Sequence, residues 1–137
     1  MYKVFNLESI ETKDKPGSLV NIKINEICKK EQIEFTQTGM FYLNNLNSNE
    51  SRGLHSNGSV SEILICLSGS FTIKLNNRKN EEIIKITQND GIFIDKDIWI
   101  EFYQFNNCVI LVLLNNNHPP KHSYYNFDEY MKIKSIL

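Results

Sequence analysis

Residues 62–75 read EILICLSGSFTIKL. An unbroken apolar run of strand length comes first, and then Phe71, Ile73 and Leu75 alternate with Thr72 and Lys74. A continuous run suits a strand covered on both faces, and alternation suits a strand covered on one. With Ser68-Gly69-Ser70 between them, the two halves predict a β-hairpin. EEIIKIT (81–87) predicts another strand, and Gln88-Asn89-Asp90-Gly91 a turn, because these residues accept the left-handed backbone that tight turns need. GIFID (91–95), IWIEFY (98–103) and CVILVLL (108–114) predict three more strands, the last two joined by a turn at Asn106-Asn107. LVNIKIN (19–25) and MFYL (40–43) predict strands nearer the start. Helix is confined to a short turn over 25–31 and a short C-terminal helix over 127–136, with Asn126 as its cap. Polar stretches at 44–51 and 115–123 read as loops. Short strands with turns every 8–12 residues and almost no helix predict an all-β antiparallel sandwich or barrel.

Composition narrows this picture. A chain of 137 residues with 41% apolar side chains suits one domain, 1–137, with one core. The net charge of −1 gives no electrostatic case for duplex nucleic acid or an anionic membrane, although a local basic pocket for a phosphate remains open. Cys28, Cys66 and Cys108 are odd in number and widely spaced, which predicts neither a disulfide framework nor a metal knuckle and favours a cytoplasmic setting. The opening MYKVFNLESIETKDK has no apolar core of leader-peptide length, and the longest apolar run is far short of a membrane span.

The chemistry concentrates in Arg52-Gly53-Leu54-His55-Ser56-Asn57, a polar cluster just ahead of a buried strand. Such a cluster places reactive groups at the mouth of a barrel. The spacing His55-x-Asn57-x4-Glu62-x6-Gly69 resembles the first cupin motif, HxH-x(3,4)-E-x6-G, with Asn in place of the second His. In metal cupins those positions are ligands, completed by a His from a second motif. The corresponding GIFIDKDIWIE (91–101) has no His. One His and one Glu fall short of the three protein ligands a divalent site normally needs.

The chain more specifically resembles the metal-independent cupins that act as dTDP-4-keto-6-deoxyglucose 3,4-ketoisomerases. Their hallmark RG-x-HAH followed by Q-x-L-x-C-L-x-G-S is matched by Arg52-Gly53-Leu54-His55-Ser56-Asn57 and then Glu62-Ile63-Leu64-Ile65-Cys66-Leu67-Ser68-Gly69-Ser70. Their early G-[ST]-L is matched by Gly17-Ser18-Leu19. Their WHE and V-x-L-V-L are matched by Trp99-Ile100-Glu101 and Val109-Ile110-Leu111-Val112-Leu113. Their Tyr-rich tail is matched by Phe127-Asp128-Glu129-Tyr130. The chain departs at Asn57 for the second His, at Ile100 for the His of WHE, and at Gly39 for an upstream Arg. The resemblance implies a cupin-type jelly-roll barrel, a homodimer, a dTDP-linked keto-sugar as ligand, and no cofactor or metal.

It also implies roles. Moving a ketone from C4 to C3 takes a proton from C3 and returns one to C4 through an enediol, and a histidine suits both steps. His55 is the expected catalytic acid/base. Arg52 offers a donor fork to the diphosphate or an enolate oxygen. Asn57 and Glu101 would orient hydroxyls, and Tyr42 and Trp99 would pack against sugar or base. Glu62 reads as a polar group at a strand edge. Two other readings stay open: a non-catalytic nucleotide-sugar-binding cupin, and a related epimerase using the same α-proton chemistry.

Overall fold

The computed structural model describes residues 1–11, 13–115 and 121–133. In chain order these form β1 (Tyr2–Asn6), β2 (Ser9–Glu11), β3 (Ser18–Val20), α1 (Ile24–Glu31), β4 (Gly39–Leu43), β5 (Arg52–Ser56), β6 (Ser61–Asn76), β7 (Glu81–Thr87), β8 (Asp90–Ile94), β9 (Trp99–Asn115) and α2 (Phe127–Lys132). All strand pairings are antiparallel.

The two long strands, β6 and β9, organise the molecule. The first half of β6 pairs with β8 and with the last part of β9, and β1 and β4 extend that layer on either side. The second half of β6 pairs with β7 and with the first part of β9, and β5 adds to β9 there. One sheet thus folds over into two layers, the cupin-type jelly roll, with the core between them. Leu64, Cys66, Ile73, Leu75, Ile92, Ile94, Ile110 and Val112 meet there, essentially without solvent contact. The alternate residues Ile63, Ile65 and Leu113 face out, where Phe5, Cys28 and Ile33 cover them. That double coverage explains why Ile63, Leu64, Ile65 and Cys66 are apolar in succession.

Three expectations are corrected. The stretch 62–75 is one continuous strand, and so is 99–115, where a turn at Asn106-Asn107 was expected. Their shared register shifts between Cys66 and Thr72, so Gly69 and Asn107 serve bulges that bend paired strands from one layer to the other. The early strand ends at Val20, and Ile24–Glu31 is a true helix. The turn before β8 does form: Asn89 takes φ +69°, and the backbone N–H and hydroxyl of Thr87 both donate to Asp90 Oδ2 at 2.9 Å.

The C-terminal helix forms over Phe127–Lys132, with the Asn126 side chain accepting from the Glu129 N–H at 3.0 Å. Residues 134–136 of that expectation, and 116–120 of the expected loop, lie outside the described residues. Tyr130 anchors the helix. Its ring lies under the Arg78 guanidinium, 3.8 Å away, and its hydroxyl is 2.8 Å from the carbonyl oxygens of both Asn76 and Asp97. The segment before α2 exchanges two backbone hydrogen bonds with Ser56 through Tyr124, which ties it to the end of β5.

Candidate active site

The position of the reactive cluster depends on a bulge. Along β9, Arg52 lies opposite Phe102 and Gly53 opposite Glu101, and then the register slips so that His55 faces Ile100. Leu54 is the extra residue, and Gly53 and Leu54 take φ +84° and +54°. In an uninterrupted strand, residues three apart point to opposite faces. The inserted residue puts Arg52 and His55 on one face, the face of Ile100 and Phe102. Glycine is required at 53, since a Cβ there would lie 2.8 Å from the Ile100 carbonyl oxygen.

That face opens into a cavity of about 300 Å³ between the layers. Arg52, His55, Asn57 and Glu62 supply its polar groups, and Phe41, Leu43, Phe102, Val112 and Leu114 much of its apolar wall. A mostly apolar cleft with a few convergent polar groups is the form of a small-molecule site. His55 Nδ1 lies 2.8 Å from the Gly53 carbonyl oxygen. A carbonyl only accepts, so Nδ1 carries a hydrogen, and in the neutral ring Nε2 is the nitrogen with a lone pair for proton transfer. Asn57 Nδ2 donates to Glu62 Oε1. Glu62 is 5% exposed and shares its facing with Leu64 and Cys66, into the interior. Burial pushes its carboxyl pKa up, while the charge of His55 and the hydrogen bond from Asn57 act in the opposite direction.

The structure brings three of the expected site residues together: Arg52, His55 and Asn57. It places the other three elsewhere, and strand parity is the reason. Tyr42 lies opposite Leu111 on the outer face and is 66% exposed, whereas its neighbours Phe41 and Leu43 point into the cavity. Trp99 and Glu101 alternate with Ile100 and Phe102 and face away from the cavity. The Trp99 ring packs on Phe127 and Tyr130 at centroid distances of 5.3 and 5.7 Å, and its N–H donates to Glu101 at 3.0 Å. Glu101 in turn pairs with Lys74 at 3.2 Å. Glu62 is the polar cavity residue to which the amino-acid sequence alone gave no site role. Glu62 stands at the cupin glutamate position, but the apolar run that follows hides which way it faces. Among the described residues no cluster of three or more His, Cys, Asp or Glu side chains could hold a metal ion.

A jelly roll with a polar cluster of this kind inside its cup defines a small-molecule cupin. The FdtA family model (WxcM-like, C-terminal) matches residues 1–135, and the chain belongs to that family. It is 27% identical over 132 residues to the TDP-4-oxo-6-deoxy-α-D-glucose-3,4-oxoisomerase of Aneurinibacillus thermoaerophilus, covering 95% of this chain and 90% of that one. A histidine-to-asparagine mutant of the 3,4-ketoisomerase QdtA from Thermoanaerobacterium thermosaccharolyticum, solved with TDP-4-keto-6-deoxyglucose, superposes with a TM-score of 0.78. Identity is 27%, over 96% of this chain and 91% of that one. The WlaRB TDP-quinovose 3,4-ketoisomerase of Campylobacter jejuni gives a TM-score of 0.79 at 28% identity, over 96% and 98% of the two chains.

Proposed function

We propose that this chain is a 3,4-ketoisomerase of a dTDP-linked 4-keto-6-deoxyhexose. The observation that carries the reading is the bulged β5, which presents Arg52 and the imidazole of His55 to one cavity. The relatives' activities and their TDP-sugar ligands supply the substrate class. His55 takes the proton from C3 and delivers it to C4. Arg52, at the exposed rim, meets the diphosphate or the enolate oxygen with a planar donor fork. Asn57 holds Glu62 and borders the sugar. Stabilising the enolate by fixed donors in a water-poor cavity supplies much of the acceleration such a step needs.

We place the protein in the cytoplasm, where sugar nucleotides are made, and its three cysteines are all buried and free. No helix among the described residues is long and apolar enough to cross a membrane. A homodimer is the expected assembly.

A proton NMR time course with dTDP-4-keto-6-deoxyglucose in D2O tests the activity. Wild type is expected to exchange C3–H and build up a 3-keto product, and His55→Ala to lose at least ~100-fold in rate. An epimer that keeps its C4 ketone, or binding without turnover, would refute the reading.

A further inference from the structure

The reaction moves two protons, and His55 accounts for one of them. C3–H and O3–H are lost, and C4–H and O4–H are gained. A single imidazole can carry the carbon proton from C3 to C4. O4 must also gain a proton and O3 lose one, and a group other than His55 can carry this exchange. Among the side chains lining the cavity, Arg52, His55 and Glu62 are the ones that titrate at all, and a guanidinium does not give up its proton at working pH. Asn57 donates a hydrogen bond but exchanges no proton. Among the described residues, Glu62 therefore stands alone beside His55 as a proton-exchanging group in this cavity.

We infer that Glu62 is the second acid/base of this site, passing a proton between the O3 and O4 oxygens of the sugar; the inference rests on the ketoisomerase reading above. Three observations support it. Glu62 as a residue is 5% exposed, and its side chain shares the cavity with His55. Asn57 occupies Oε1, so a neutral acid carries its proton on Oε2. Burial favours that neutral form.

The steps balance without any outside reactant. His55 Nε2 takes the C3 proton, and the electrons of that bond form the C3–C4 double bond as charge moves to O4. Glu62 Oε2 gives its proton to O4, which leaves an enediol and a carboxylate. The carboxylate then takes the O3 proton, a C3 ketone forms, and the imidazolium protonates C4. Both residues end as they began.

The assignment also accounts for two departures from the family pattern together. Where that pattern has a second His followed by a Gln, this chain has Asn57 followed by Glu62. In this chain the two side chains touch, and Glu62 is the one of the two that can exchange a proton.

Glu62→Gln tests this, because an amide keeps the shape and can still accept from Asn57. The same D2O experiment reads C3–H exchange and ketone migration separately. In Glu62→Gln, migration is expected to fall at least ~100-fold while C3–H exchange stays within about tenfold of wild type. The double variant Asn57→His/Glu62→Gln, which rebuilds the family pair, is expected to recover migration at least tenfold over Glu62→Gln. Migration near the wild-type rate in Glu62→Gln would overturn the inference. So would equal loss of exchange and migration with no rescue in the double variant, since Glu62 would then only support His55. A wild type that fails to turn over defeats the ketoisomerase reading itself and is distinguishable from both.

Discussion

A buried carboxyl next to an imidazole has a stability signature as well as a catalytic one. The folded-state pKa of Glu62 is raised above its ordinary value of 4.5, with burial as the leading cause. A group raised in this way stabilises the fold fully below its unfolded value, and that contribution is lost as pH climbs through the folded value. Glu62→Gln titrates in neither state. The stability of wild type relative to Glu62→Gln is therefore expected to be greatest below pH 4.5 and to decline as pH rises above it. Urea unfolding of both proteins from pH 4 to pH 8 checks the sign. A difference that is flat with pH, or that favours wild type more at neutral pH, would mean that the carboxylate is held ionised by Asn57 and His55.

At the scale of elements, left-handed residues bend strands here that a local reading ends with turns. Gly69 takes φ +69°, and across from it Gln104 and Asn107 take +53° and +46°. A turn and a bulge need the same backbone conformation, so short-range patterns cannot separate them. β7, β8 and the capped α2 were legible in the sequence, and so were the four apolar stretches that flank Gly69 and Asn106-Asn107. Their merger into two long strands depends on pairings across the sheet. The site was legible in the same uneven way. Arg52 and His55 stood out through their motif, whereas the facing of Tyr42, Trp99 and Glu101, which lie outside this cavity, depends on register. A Cβ on Gly69 would meet the Asn106 and Asn107 carbonyl oxygens at 2.1 and 2.4 Å. Gly69→Ala is therefore expected to cost at least about 2 kcal/mol. Gly39→Ala, whose added carbon meets only Leu114 at 3.9 Å, should stay within about 1 kcal/mol of wild type. Chemical denaturation of the pair separates backbone constraint from a general intolerance of change.

The whole molecule leaves one strand edge unprotected in a way that points to self-association. Among the described residues β4 pairs with β9 alone, which leaves its other edge without a strand partner there. Its outward-facing side chains are apolar, with Met40 60% and Tyr42 66% exposed. Soluble chains usually blunt such an edge with charge or proline, and residues 39–43 contain neither. A second copy laid antiparallel along β4 would satisfy the backbone groups and bury both side chains through a two-fold, self-complementary contact. Phe41 and Leu43 of the same strand line the cavity, so that contact would also stiffen one wall of the site. Sedimentation at micromolar concentration is expected to show a dimer for wild type. Met40→Glu/Tyr42→Glu should shift it toward monomer, because charges facing each other across the new sheet repel while the fold beneath is untouched. A monomeric wild type would sink the idea of a dimer, and a double variant that stays dimeric would move the interface away from β4.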